Sequence, residues 1–295
     1  MGGEKIVTIS EILDKVADYH PDLGPDYDGC DGIKCGDPNQ ECTGIVSALV
    51  PNIDVIRKTI ELGANLLYVH EPTSYLTPDL PGWRANFKCD IYDEKMKLLA
   101  DNGIVVYRDH DHMHAHRPDS IFTGVIKYMG WENNLVDAGN MVPFGYVIDL
   151  PEETTVRKMN EMLIQKIGLK GTRYIGRGQD KIKRIALVGH IYPDAFIPAR
   201  EDGGYYTDYT TEIIRAIQEN NIDAIIPGEI IEWNLLSYIR DGISLGRNLA
   251  CFNIGHFNWE ELGGKYSADW LSDLTEGEVK VTYVPSGDLW NYQLA

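Results

Sequence analysis

The sequence has few cysteines and no long apolar run, and each deficit excludes a class of protein. Its five cysteines are an odd number without a CxxC pair, which argues against a disulfide framework. No apolar run approaches the roughly 18 residues that span a bilayer, and the first residues lack the basic and then apolar order of a signal peptide. These absences predict a cytoplasmic protein.

Basic residues are also scarce, since 27 Lys and Arg stand against 45 Asp and Glu, a formal net charge of −18. Such a surface repels nucleic-acid phosphates and anionic lipids, so we expect neither nucleic acid nor membrane as a partner. Hydrophobic residues make up 43% of the 295 residues, as in a globular protein with a buried core. That length corresponds to about two domains.

Apolar runs alternate with helix-like segments along the chain, which predicts an α/β fold. In the first half the predicted strands are TGIVSALV, ANLLYVH and GIVVYRDH. In the second half they are MVPFGYVIDL, KIKRIALVGH, IDAIIPGE and NLACFNIGH. A helix is predicted with Pro151 in its first turn, and residues 190–210 are expected to form an irregular loop.

The predicted elements group into two α/β lobes, with mixed or largely parallel sheets flanked by helices. We expect a metal-binding lobe made of residues 1–135 and 246–295, and a second lobe made of residues 136–245.

Six of the eight histidines follow directly on three of the predicted strands. The first strand leads to His70 and Glu71, the second to residues 109–116 (the histidine segment), and the third to His256 with Glu260. Because the carboxyl ends of parallel strands meet at one edge of a sheet, these side chains are expected to approach one another.

Imidazole and carboxylate groups together favour divalent zinc, iron or manganese, so the three strand ends predict a metal site. His256 and Glu260 are four residues apart, which puts both on one face of a helix that starts there. Two alternatives stay open: His70 as a core histidine, and the histidine segment as a solvated turn.

With these motifs the chain resembles the NIF-three-like family, also described as type 2 homologues of GTP cyclohydrolase I. The family's His-His-Pro motif corresponds to residues 70–72, and its Tyr-Ser-x-His-Thr-x-x-Asp motif to residues 107–114. Its Thr-Gly-Glu motif corresponds to residues 227–229, and its Gly-His-x-x-x-Glu motif to residues 255–260. Its early Trp-Asp-x-x-Gly-x-x-x-Gly motif is echoed imperfectly at residues 30–36.

The resemblance implies two divalent metal ions, zinc, iron or manganese, with the ligands His70, Glu71, His114, His256 and Glu260. In the family a His and an Asp occupy the places of Glu71 and His114, so one imidazole and one carboxylate are exchanged between the two motifs. Glu260 is expected to bridge the two ions. Asp111 or His112 could replace His114 if the register of the loop differs.

Two such ions would activate water for hydrolysis of a C–N or C–O bond in a small molecule, such as a cyclic amide or heterocycle. His110 is the predicted general acid or base, because the pKa of an unperturbed imidazole lies near neutral pH. Asp111, His112 and Glu229 are expected to orient ligands or contact substrate. The resemblance also implies a homohexamer. The competing hypothesis is a non-catalytic metal-binding scaffold or regulatory protein.

Overall fold

The protein, described here by a computed structural model for residues 6–79, 83, 84 and 86–293, forms two compact units. The first unit comprises Met1–Val125 and Glu260–Gly287, and the second comprises Ile126–Trp259 and Asp288–Ala295. The chain therefore passes from the first unit to the second and returns, and the residues from Asp288 onward belong to the second unit again. The sequence-based division, with its boundaries after residues 135 and 245, stays a prediction.

The described residues form strands and helices that alternate through most of the chain. The strands are β1 (Gly32–Cys35), β2 (Ile45–Ala48), β3 (Leu66–Val69), β4 (Val105–Arg108), β5 (Leu135–Ala138), β6 (Tyr146–Thr155), β7 (Arg173–Ile175), β8 (Lys181–Val188), β9 (Arg200–Asp202), β10 (Tyr205–Thr207), β11 (Ala224–Pro227), β12 (Ala250–Asn253) and β13 (Val281–Tyr283). The helices are α1 (Ile9–Tyr19), α2 (Ile53–Glu61), α3 (Asp90–Asp101), α4 (Asp111–Ala115), α5 (Ser120–Met129), α6 (Val156–Ile167), α7 (Tyr209–Glu219), α8 (Leu235–Ser244) and α9 (His256–Leu274), and a 3₁₀ turn covers Glu132–Asn134. Within the described part of the chain, no helix combines the length and apolar character that a bilayer-spanning helix requires.

The sheet of the first unit has the strand order β1-β4-β3-β2-β13. Strands β4, β3, β2 and β13 run parallel, and β1 pairs antiparallel with β4. Strands β2 and β3 are buried at every position, because apolar clusters cover both faces of the sheet. Ile12 of α1 and Leu271 of α9 belong to one cluster, and Ile56 of α2 and Leu99 of α3 belong to the other. The parallel pairing of β3 with β4 brings their carboxyl ends to the same edge.

The sheet of the second unit has the strand order β5-β6-β8-β11-β12-β7. Strands β8, β11 and β12 are parallel, whereas β5, β6 and β7 are antiparallel to their neighbours. Both units therefore contain mixed sheets accompanied by helices, and the predicted fold class is confirmed.

Two local predictions are wrong. Pro151 does not start a helix but continues β6, and α6 begins only after Thr155, whose hydroxyl accepts a hydrogen bond from the N–H of Lys158. The strand tolerates Pro151 because the pairing of β6 with β8 shifts register between Asp149 and Thr154, where no regular ladder bond is needed.

The second wrong prediction concerns residues 190–210, which contain the hairpin β9–β10 instead of an entirely irregular loop. Gly203 and Gly204 connect the two strands with φ values of 58° and 84°. Consecutive glycines at positive φ match the right-handed twist of a hairpin, so this pair is the sequence signal of the turn.

Candidate metal centre

Two neighbouring strands of the first unit end where their histidines begin. Beyond β4, the N–H of Asp109 donates to the carbonyl of Val69 at 2.8 Å and extends the pairing with β3. Beyond β3, the N–H groups of His70 and Glu71 donate to the carbonyl of Leu49 at 3.2 and 2.8 Å. These backbone bonds hold His70 and the start of the histidine segment at the same sheet edge.

His70 is a buried imidazole in the protonation state that a metal ligand requires. Its Nδ1 lies 3.0 Å from the carbonyl oxygen of Asp109, which can only accept, so Nδ1 carries the proton and Nε2 keeps its lone pair. Nε2 is buried without a hydrogen-bond partner among the described residues, 3.7 Å from Oε2 of Glu260. Burial, and then the neighbouring His110 and His114, hold the pKa of His70 well below its usual range.

His110 and His114 complete a group of three imidazoles with His70. His110 is the N-cap residue of α4, and the N–H of His114, four residues later, donates to the carbonyl of His110 at 3.1 Å. The ring centroids of His70 and His110 are 4.5 Å apart in a stacked arrangement, and His114 lies edge-on to them at 4.9 and 4.7 Å. One nitrogen from each ring lies within 4.8 Å of the other two, which is close to the spacing around a single ion.

Asp119 fixes the orientation of His114. Its Oδ2 lies 2.6 Å from Nδ1 of His114, while its Oδ1 accepts the N–H of Ile121 in the first turn of α5. Burial lowers the pKa of His114, but Asp119 and then Glu260 and Glu71 outweigh it and raise the pKa to about 9. A carboxylate on Nδ1 orients Nε2 of an imidazole toward a metal, and no sequence prediction had assigned Asp119 this role.

Glu71 and Glu260 add carboxylates to these imidazoles. Their residues are only 8% and 4% exposed, and both act on the pKa of His114, which places them in its electrostatic neighbourhood. The first unit thus brings five predicted residues together: His70, Glu71, His110, His114 and Glu260. Nitrogen and carboxylate donors of this kind suit zinc, iron or manganese better than calcium.

Two other predicted residues of the histidine segment have different partners. Oδ1 of Asp111 lies 2.8 Å from Nδ1 of His110, and Oδ2 of Asp111 accepts the hydroxyl of Tyr27 at 2.8 Å. His112 pairs through Nδ1 with Oδ2 of Asp31 at 2.6 Å. Asp111 therefore orients His110, whereas His112 is engaged away from His70.

In the second unit, the predicted residues Glu229 and His256 lie beside each other. Oε1 of Glu229, just after β11, is 3.4 Å from Nδ1 of His256, the first residue of α9. The ring of His190 lies 4.5 Å from that of His256. His190 is not among the predicted site residues, although it ends the predicted strand KIKRIALVGH and so carries the same signal as the other strand-end histidines.

Known relatives resemble the chain over most of its length. Two proteins named GTP cyclohydrolase 1 type 2 homolog, from Clostridium perfringens and Clostridium acetobutylicum, are 25% and 23% identical over 262 and 259 residues. Each alignment covers 85% of this chain. It covers 86% of the Clostridium perfringens protein and 85% of the Clostridium acetobutylicum protein. The crystal structure of a Bacillus cereus protein related to NIF3 has a TM-score of 0.69 at 15% identity, covering 99% of this chain and 100% of that one.

The structural likeness shows a shared fold, and the family itself follows from the sequence. The family model described as Duf34/NIF3 (NGG1p interacting factor 3) matches residues 5–190, which is more than half of the chain. This match confirms the resemblance inferred from the strand-end motifs, and the chain belongs to the Duf34/NIF3 family.

Proposed function

We propose that the chain is a metal-dependent hydrolase of a small molecule, with His70, Glu71, His114 and Glu260 as ligands of divalent ions. One observation carries this proposal: Nε2 of His70 is buried, unprotonated and without a hydrogen-bond partner among the described residues. A buried polar atom left in this way is costly unless something binds it, and a metal ion would satisfy it. The participation of His256 and of a second ion stays a prediction from the sequence.

The chemistry of the donors supports zinc, iron or manganese. His70 offers a neutral nitrogen, and His114 offers Nε2 once it gives up the proton that the nearby carboxylates favour. Metal binding at this site should therefore release a proton near neutral pH. An ion held here would supply an activated water and polarise a substrate carbonyl or amidine.

His110 is suited to move a proton beside these ligands. Its Nδ1 faces Oδ1 of Asp111 at 2.8 Å, and the hydrogen bond from His110 holds the pKa of Asp111 well below its usual range. An ionised carboxylate can only accept, so Nδ1 of His110 donates to it and Nε2 is the atom that takes up or releases a proton. The stacking of His110 on His70 keeps that atom next to the proposed ligands.

The substrate class that we propose is a cyclic amide or a heterocycle with a hydrolysable C–N bond. The names of the two clostridial relatives support this choice, because a cyclohydrolase opens a ring by adding water. Glu71 and His114 differ from the residues that the family resemblance leads one to expect, so GTP is one candidate among several ring compounds.

The test combines metal content with hydrolysis. Protein stripped with a chelator is reloaded with Zn²⁺ or Mn²⁺, analysed for bound metal, and assayed with GTP and a panel of cyclic amides. His70→Ala should lower the Zn²⁺ affinity by more than about 100-fold, since losing a ligand should cost at least as much as losing the group that orients one. His116→Ala is the matched control, because His116 belongs to the same segment but not to this imidazole group.

Three outcomes separate the hypotheses. Hydrolysis that requires metal and disappears in His70→Ala supports the enzyme. Tight metal binding without hydrolysis of any ring compound contradicts it and favours the scaffold hypothesis. Wild-type protein that retains no divalent ion removes the basis for both.

A further inference from the structure

The histidine segment carries a second set of metal-type donors besides the three imidazoles at His70. One donor atom from each of Asp31, Asp109 and His112 lies within 4.8 Å of the other two. None of these residues belongs to the ligand set proposed above. Asp31 approaches from the loop before β1, whereas the other two come from the chain after β4.

The two carboxylates of this set are deeply buried. The side chains of Asp31 and Asp109 are 3% and 1% exposed, and Oδ1 of Asp109 has no hydrogen-bond partner in the described part of the chain. Two neighbouring carboxylates at such depth need a compensating positive charge, because an isolated buried charge is strongly unfavourable. The unpartnered Oδ1 offers a lone pair with which a cation can interact.

Surrounding groups already hold the donors in place. Nε2 of His20 lies 2.8 Å from Oδ2 of Asp109, and the hydroxyl of Tyr68 donates to the same oxygen. The carboxylate of Asp31 accepts the N–H groups of residues 110, 111 and 112 at 2.6, 3.0 and 2.9 Å, which also fixes the start of α4. Side chains that bind metal ions in proteins are typically held by hydrogen bonds of this kind from the surrounding residues.

We propose that Asp31, Asp109 and His112 form a separate binding site for a divalent ion such as Zn²⁺ or Mn²⁺. Donor atoms about 2.1 Å from one ion lie at most about 4.2 Å from each other. The three donor atoms, which lie within 4.8 Å of one another, would therefore move only slightly closer together to hold an ion. Two carboxylates and one imidazole match the donor preferences of these ions. Nδ1 of His112 lies 2.6 Å from Oδ2 of Asp31, so the imidazole is already in contact with one of the two carboxylates.

Anomalous scattering provides the direct test, on crystals of the wild-type protein grown with Zn²⁺. A peak between Asp31, Asp109 and His112 is expected in addition to any peak at His70. An empty position in crystals saturated with Zn²⁺ overturns the proposal, whatever is found at His70.

A stoichiometry measurement in solution tests the same site through variants. His112→Asn keeps an N–H donor for Asp31 but lacks the imidazole, so it should bind one Zn²⁺ per chain fewer than wild type in equilibrium dialysis. His116→Asn is the control and should match wild type, because His116 contacts His20 and not the three donors. His114→Asn should affect the ion at His70 alone. Equal binding by His112→Asn and wild type contradicts the proposal, and this result is independent of whether the hydrolase exists.

Discussion

The two faces of the histidine segment carry the same residue types but differ in the hydrogen bonding of their imidazoles. On one face, His110 and His114 surround His70, whose Nε2 has no hydrogen-bond partner among the described residues. On the other face, His112 is paired with Asp31, and His20 is paired with Asp109. We therefore expect metal affinity to depend on the lone pairs that remain after the local hydrogen bonds are made, and not on the number of histidines. Because His112 and Asp31 are already paired with each other, we expect the His70 face to bind metal more tightly.

The largest effect is expected from exchanging donors on the His70 face. Glu71→His and His114→Asp should each weaken Zn²⁺ binding, by about 100-fold or more, because each change alone alters the balance of imidazole and carboxylate. The double variant should lose less affinity than the two single losses added together, with a coupling energy of about 1–3 kcal/mol. Competition with a chromophoric chelator measures all four affinities. Losses that simply add in the double variant would contradict a compensated exchange between these positions.

A smaller effect is expected from the carboxylate that orients His114. Asp119→Asn should reduce Zn²⁺ affinity about 10- to 100-fold, because Nδ1 of His114 loses its charged acceptor at 2.6 Å. Asp137→Asn is the matched control, since that carboxylate accepts backbone N–H groups in the second unit. Calorimetric titration of both variants gives the comparison. An unchanged affinity in Asp119→Asn would mean that packing alone orients His114.

The smallest effect concerns the stability of the metal-free protein. The pKa of His114 is raised to about 9 in the folded state, so its stabilising contribution is complete below pH 6.5 and is lost as the pH rises toward 9. Each unit of pKa shift corresponds to about 1.4 kcal/mol, but the side chain is 28% exposed and solvent screens part of the interaction. The contribution of His114 to the free energy of unfolding, taken as the difference between wild type and Asp119→Asn, should therefore fall by about 1–2 kcal/mol over this range.

Urea denaturation of both proteins at pH 6.5 and pH 9 measures this loss. The depressed pKa of His70 affects stability only below pH 6.5, so it does not overlap with this window. A pH-independent difference between wild type and Asp119→Asn would show that His114 is not protonated in the folded metal-free protein.

Much of the first unit could be predicted because its strands are continuous apolar runs. The runs containing β2, β3 and β4 can only be buried, and the polar residues that follow them must lie at the sheet edge. His70 and the histidine segment were found in this way. Two features were not predicted: the hairpin β9–β10 and the continuation of β6 through Pro151. A two-glycine turn and a register shift leave only weak signals in a single sequence.

The sequence by itself determined that imidazoles and carboxylates meet at one edge of an α/β sheet. These residues directly follow apolar runs, and the carboxyl ends of parallel strands lie at the same edge. In the structure His110 and His114 are about one turn of α4 apart, and His112 lies between them in the sequence. Only the tertiary structure decided which face meets His70. That choice depends on Asp31, some 80 residues earlier, whose carboxylate accepts three N–H groups at the start of α4 and so sets its rotation. A long-range contact of this kind has no local pattern in the sequence, because it depends on how distant loops pack.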